Sequence, residues 1–209
     1  FATVGAQREM VTMMSYEFPL AVAVIAIVWK LQEITGGGEV FSLSFIAANP
    51  LWSEVGLLGI IGLALILLAM IIVMPAELSK VPFDTGEAET EIAEGLLVEY
   101  SGRNLAMFYL ADGVKTVALA SLMVALFFPW GIAETLSLNG IAADAANIVF
   151  YLVKVLLVMV FGVTLIRVGV ARLRISQVVS TYWVSITLMA LLGLVLLMWD
   201  SQVLSIQVW

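Results

Sequence analysis

Five long apolar runs, at 15–31, 55–74, 104–128, 148–166 and 178–199, divide the chain, and its polar residues gather between them. Each run is close to the roughly 20 residues an α-helix needs to cross about 30 Å of hydrocarbon. The pattern predicts an all-α, polytopic transmembrane protein with about five spans, forming a single membrane domain over 1–209. Pro19 falls where the first helical turn would lie, a position in which its missing N–H costs nothing. The stretch before it, 1–14, is polar by the standard of this chain. Pro75 is expected to close the second span and Pro129 the third. Gly56, Gly59 and Gly62 share one face of the second span, the arrangement that lets two membrane helices approach closely. An apolar patch at 40–48 is too short to cross. Residues 131–147 read as a loop and 200–209 as a short tail.

Between the second and third spans lies an acidic loop, 77–103, with Glu77, Asp84, Glu87, Glu89, Glu91, Glu94 and Glu99. Asp84-Thr85-Gly86-Glu87 has the form of a helix N-cap with Glu in the first turn, and a short helix over 85–98 is predicted. On that helix Glu87, Glu91 and Glu94 would stand at i, i+4 and i+7 on one face. Like charges at that spacing persist if solvated, paired or partly protonated, and the last case would make them a proton path. The alternative is a solvated loop.

Composition agrees with the membrane reading: 63% of the 209 residues are hydrophobic and 12% charged, against about 25% charged in soluble domains. With no Cys and no His, the chain has no thiolate ligands for an iron–sulfur cluster or structural zinc and no His for haem. No metal site or cofactor is expected in the chain itself, and no catalytic residue. A net charge of −7 excludes a nucleic-acid partner. Arg8, Lys80, Arg103, Arg167, Arg172 and Arg174 would all fall on one side of a five-span topology, while 35–54, 131–147 and the tail carry no Lys or Arg. The positive-inside bias puts the acidic loop in the cytoplasm and the C-terminus outside, in a multi-pass protein of the plasma membrane. The chain opens on Phe1, without an initiator Met, a charged n-region or a cleavage site, so residues are expected to precede it.

Some charges sit where lipid should be. Asp112 and Lys115 lie inside the third span, each costing roughly 2.5–3.5 kcal/mol at a helix centre. At i, i+3 they can pair, either as a functional element or as a packing pair. Lys154 lies inside the fourth span and Glu17 near the cytoplasmic end of the first. Lys30 reads as a snorkelling cation.

Pro82-Phe83-Asp84, Glu87-Ala88-Glu89, Glu91, Gly95 and Glu99-Tyr100-Ser101-Gly102 together resemble the acidic loop of the NuoH-like family. Its members anchor the redox arm to the membrane in respiratory complex I and in energy-converting membrane-bound nickel-iron hydrogenases. Gln7-Arg8-Glu9, Ser15-Tyr16-Glu17, Phe127-Phe128-Pro129-Trp130-Gly131 and the connector with Arg167, Arg172, Arg174 and Gln177 are similar to further family blocks. The family has about eight spans, so the resemblance implies that this chain is the C-terminal two thirds. It also implies a relay of protons or charge through Glu17, Glu87, Glu89, Glu91, Glu94, Glu99, Asp112, Lys115 and Lys154. Asp84, Arg103, Arg167, Arg172 and Arg174 would then dock the redox arm. Cytoplasmic hydrogenase-like and iron–sulfur subunits and antiporter-like membrane subunits are the implied partners, beside the lipid bilayer. Iron–sulfur clusters and a nickel-iron centre are expected in those partners.

The chain also departs from the family pattern. The family's GYHTEYS becomes Gly95-Leu96-Leu97-Val98-Glu99-Tyr100-Ser101, Ser176 replaces an acidic residue, and Lys115 is added. These changes resemble the hydrogenase branch or its sulfur-reducing relative, in which no quinone is reduced. Three alternatives remain: a quinone-chamber subunit of complex I, a self-sufficient antiporter, or a purely structural anchor. Against the antiporter stands the lack of a repeat with paired Gly/Pro-broken helices.

Overall fold

A computed structural model of the chain describes every residue except Gly38, Glu39, Glu94, Glu134, 136–139 and 208–209; for Glu89, Thr90 and 201–207 it describes the backbone alone. Backbone amides cannot be left unbonded in hydrocarbon, and the described residues satisfy them with helices and no strand. The elements are α1 (Ala2–Thr35), α2 (Leu43–Ala48), α3 (Leu57–Glu77), α4 (Glu89–Ile92), α5 (Gly102–Phe127), α6 (Ile141–Met159), α7 (Leu165–Gly169), α8 (Ile175–Ser180) and α9 (Thr187–Gln207). A π-helical turn at Val160–Thr164 joins α6 to α7, and another at Thr181–Ile186 joins α8 to α9. Five of the resulting helices are long and apolar enough to span a membrane. The short patch expected not to cross became α2.

α3 is the centre of the bundle, with Leu63, Ile66, Ala69, Met70 and Val73 buried at helical spacing. It packs most closely on α9, and α1 packs on both. The three-glycine face does what its sequence spacing predicts. A Cβ on Gly62 would stand 2.8 Å from the Gly193 carbonyl oxygen of α9, and one on Gly56 or Gly59 would meet the Asp200 carboxylate at 2.6–2.7 Å. α6 lies at the edge, with much of its apolar surface uncovered.

Several sequence-based boundaries move. α1 begins at Ala2, far before residue 15, so Pro19 sits inside the helix. The polar residues of its first turns do not break it because they bond back to it: Thr12 Oγ1 donates to the Arg8 and Glu9 carbonyls and Ser15 Oγ to the Thr12 carbonyl, at 2.6–3.1 Å. α3 runs two residues beyond Pro75. α6 begins at Ile141, inside the expected loop, with Asp144 in its first turn where the helix dipole favours an anion. α9 continues through Asp200 to Gln207 in place of a tail.

The predicted helix over 85–98 is reduced to α4 and a 3-10 turn at Gly95–Leu97. Asp84 does not cap a helix; Arg172 takes its carboxylate. The peptides around it close turns instead, with Glu87 N–H donating to the Asp84 carbonyl. Glu87 therefore precedes α4 and does not share a helical face with Glu91. Glu94, the third member of the expected stripe, lies outside the described residues.

Candidate functional site

The start of α1, the end of α3, the acidic loop, the middle of α5 and the 170–174 connector meet at one end of the bundle. Phe83 anchors the loop. Its ring packs edge-on to Tyr182 at 5.0 Å, Tyr182 packs edge-on to Tyr16 at 6.3 Å, and the Tyr182 hydroxyl donates to the Ile72 carbonyl at 2.7 Å. Arg172 binds Asp84 with Nε and Nη2, fixing the connector to the loop, and the Leu173 N–H donates to the Pro82 carbonyl at 3.1 Å.

α3 ends in a tight reversal in which Ser79 adopts φ 47°, a left-handed conformation that favours glycine. Such strained positions cluster at functional sites. Here the reversal aims the Ser79 hydroxyl at Glu9, to whose Oε1 it donates at 3.1 Å. Tyr16, two turns along α1, lies on the Glu9 side of the helix, with its ring against Tyr182. Lys80, the next residue after Ser79, pairs with Asp112, and Lys115 pairs with Glu77 at 2.9 Å. The expected Asp112–Lys115 pair is thus not formed. Each of the two reaches across to the end of α3, where a partner of opposite charge offers a shorter path than its helical neighbour.

Glu77, Glu87, Lys80, Asp112 and Lys115 line one cavity of about 240 Å³. Glu9, held by Ser79 beside them, brings the local carboxylates to four, against two ammonium groups. Burial pushes the half-buried Glu87 carboxyl above the usual carboxylate range; the Glu9 charge adds to the rise, Lys80 opposes it, and Asp112 and Asp84 add smaller upward pushes. A site with surplus carboxylates and a raised Glu87 carboxyl can take up or release a proton when nearby charge changes.

The sign of the resulting pH effect follows from linkage. The folded chain holds the Glu87 proton to higher pH than the unfolded chain, so stability falls as pH rises from about 4.5 through the raised range. Glu87→Gln removes this loss. Its stability advantage over wild type is expected to grow with pH across that window and then level off, read by thermal unfolding in mild detergent over a pH series. Parallel curves would show that Glu87 is not held protonated.

The other sequence-predicted residues fall as follows. Glu91 Oε2 accepts from Arg8 Nη1 at 2.6 Å. Glu17 lies beside Glu77 in a groove between α1 and α3. Glu99, Arg103, Arg167 and Arg174 are exposed around this end, and Glu89 stands on α4. Lys154 is not brought here. It lies near the opposite end of α5, where Nζ donates to the Phe128 and Trp130 carbonyls, both at 2.7 Å. Lys30 does not snorkel: it is 1% exposed, with Nζ 3.4 Å from Glu33 and 3.7 Å from Asp200, whose Oδ2 also accepts from the Gly56 N–H at 3.0 Å.

Sequence reasoning assigned no site role to Glu9, Tyr16, Ser79, Lys80 or the Lys30–Asp200 pair. Glu9 and Tyr16 are seven residues apart, one helical face, a signal visible had the first helix been extended back over 1–14. Lys30 and Asp200 were the lone charges at the far ends of two apolar runs.

A bundle of membrane-spanning helices that carries a charged junction at one end, with an acidic loop folded onto it, defines a polytopic membrane subunit with an ionisable centre. The chain belongs to the NADH dehydrogenase family of NuoH-like membrane subunits, whose model matches residues 1–198. It is 35% identical over 195 residues to "Hydrogenase-4 component C" of Escherichia coli, covering 91% of this chain and 56% of that protein. It is 34% identical over 196 residues to a subunit of the NADH-quinone oxidoreductase of Brevibacillus brevis, covering 94% and 54%. To a subunit of the F(420)H(2) dehydrogenase of Methanosarcina acetivorans it is 29% identical over 197 residues, covering 93% and 53%. The chain thus spans about half the length of these relatives. Among solved structures it is similar to a chain of the membrane-bound sulfane sulfur reductase, an archaeal respiratory membrane complex, with TM-score 0.74, 26% identity, and coverage of 94% and 60%.

Proposed function

We propose that this chain links a cytoplasmic redox module to ion-translocating membrane subunits, relaying charge or protons through the junction described above. The observation that carries this reading is the cavity on which Glu77, Glu87, Lys80, Asp112 and Lys115 converge. Redox turnover beside the acidic loop changes the local charge. Glu87, already raised, changes its proton occupancy first. Lys80 pairs with Asp112 and also acts electrostatically on Glu87, so its pairing follows. The change passes to Lys115 and Glu77, and from Glu77 to Glu17, which faces the groove between α1 and α3. Small charge changes move coupled carboxylates across the working pH, which suits such a relay.

The loop end is cytoplasmic in this reading, supported by its gathering of Arg and Lys. The exposed Glu91 and Glu99 of the loop, with the exposed Arg103, Arg167 and Arg174, would face the docked arm. Asp84 and Arg172 would act behind them, holding the loop in place. Iron–sulfur clusters and a nickel-iron centre belong to the partner subunits. Similarity to a hydrogenase component, and to the sulfane sulfur reductase in structure, supports the hydrogenase-type or sulfur-reducing branch. Similarity to part of an NADH-quinone oxidoreductase keeps the quinone-reducing reading as a second one.

The test uses the intact complex containing the full-length subunit, given a low-potential electron donor. Hydrogen release, sulfide release and quinone reduction, assayed side by side, separate the branches. Asp112→Asn and Glu87→Gln are then expected to leave redox turnover measurable while ion transport is abolished. Coupled transport that survives both substitutions would overturn the relay.

A further inference from the structure

Away from the junction, α3, α5 and α6 enclose an apolar groove of about 440 Å³, within the roughly 300–1,000 Å³ of small-molecule sites. Its walls include Leu67, Ile71, Met123, Leu157 and Phe161. Its one charged lining residue is Lys154. The groove runs along α6 from Lys154 to Gly162, about 12 Å at the helical rise. Its base is the π-helical turn Val160–Thr164, a backbone form frequently found at functional sites. There Gly162 lets α6 close onto Met74 of α3: a Cβ would stand 2.8 Å from the Met74 Sδ.

The depth of Lys154 follows from the helix rise. It stands thirteen residues, about 20 Å, from Arg167. With Arg167 at the hydrocarbon boundary on the loop side, Lys154 lies about 10 Å inside the opposite boundary of a ~30 Å core. Its stem carries the ammonium outward toward Trp130. Two of its N–H groups go to the Phe128 and Trp130 carbonyls, and the Phe150 ring lies 4.9 Å from Nζ. Among the described residues the third N–H has no partner. Among the described residues no carboxylate pairs with Lys154, whereas Lys30, the other cation of this half, is paired with Asp200 and Glu33.

We propose that this groove seats one anionic membrane lipid, with a hydrocarbon chain along α6 and its phosphate on Lys154 Nζ. The apolar walls follow the membrane normal over a length that suits a chain. The outward-pointing stem brings the cation to within roughly 4–5 Å of the depth where chain meets headgroup, and it has one donor to offer a phosphate oxygen. Charge complementarity selects an anionic over a zwitterionic lipid, because a choline group would bring a second cation to a site that already has one.

The intact complex, stripped of lipid in mild detergent, would be titrated with phosphatidylglycerol or phosphatidylcholine and read by native mass spectrometry. Wild type is expected to retain one phosphatidylglycerol with about tenfold preference, because both headgroups offer Lys154 a phosphate but only phosphatidylcholine brings a second cation. Lys154→Arg is expected to keep that preference and Lys154→Gln to lose it. Leu157→Trp fills the groove without touching the charge, and is expected to expel the lipid; it carries the test should Lys154→Gln fail to assemble. Equal retention of the two lipids by wild type would overturn the proposal. So would unchanged preference in Lys154→Gln, or a photocrosslinker at Phe161 that captures a neighbouring protein helix.

Discussion

Replacing Lys30 by Met is expected to destabilise the bundle by about 3–5 kcal/mol, the cost of leaving a buried charge without its partner. Asp200 is 3% exposed and lies on α9, while Lys30 lies on α1 and Gly56 at the start of α3. The carboxylate thus joins three helices, and its space is made by Gly56 and Gly59, where any side chain would collide with it. Removing the cation leaves Asp200, among the described residues, with only the Gly56 N–H. Asp200→Asn should be milder, because Lys30 keeps Glu33 at 3.4 Å. The double variant Lys30→Met/Asp200→Asn should lose less than the sum of the two, since neither charge is then stranded. Unfolding of the full-length subunit in mild detergent measures all three. Additive losses would show that Lys30 and Asp200 do not act on each other.

The second large effect concerns the seating of the acidic loop. Gly5 of α1 touches the loop backbone so closely that a Cβ would stand 2.7 Å from the Leu96 nitrogen and 2.9 Å from the Gly86 oxygen. No rotamer can relieve contacts with backbone. Gly5→Val should therefore lift the loop at an overpacking cost of about 1–3 kcal/mol, raising amide exchange over 86–97 about tenfold or more. The ion pair seen nearby cannot hold the loop by itself. Arg8–Glu91 is partly exposed on both sides, and such pairs contribute under about 1 kcal/mol. Arg8→Ala should accordingly leave exchange in the loop nearly unchanged. If Arg8→Ala loosened the loop as much as Gly5→Val, the ion pair and not the backbone contact would be its anchor. A lifted loop also separates Glu87 from Glu9, so ion transport should fall with it.

The contrast between the loop and the spans shows what could be read from the chain alone. The spans were legible because hydrocarbon imposes one rule on every residue it touches: long apolar runs, helical backbone, charges pushed to the ends. The glycine face of α3 was legible for the same local reason, since three small residues at helical spacing have one obvious use. Helix ends were less so. Nothing in 1–14 forbids a helix, and it is the packing of Gly5 and Glu9 against the loop that gives these residues a use as part of α1.

The loop itself had a local preference that lost. Asp84 and Glu87 were well placed to start a helix, but Arg172, 88 residues away, claimed the Asp84 carboxylate, and Phe83 was drawn into the aromatic cluster with Tyr182. A bidentate guanidinium contact and a buried ring outweigh a cap of about 1 kcal/mol. The pairing of Asp112 and Lys115 failed likewise: i, i+3 spacing permits a pair worth a few tenths of a kcal/mol, and the end of α3 offered both residues other partners.

By itself, then, the sequence determined that this is a membrane protein of about five helices, with an acidic loop between the second and third and a family resemblance written in that loop. Those features depend on neighbours in the chain and on the solvent, and both are known before folding. Only the tertiary structure decided which carboxylates share a cavity, that Lys30 is buried against Asp200, and that Lys154 stands apart beside an apolar groove. Ionisable groups are selected by partners distant in sequence, and no spacing rule carries that information.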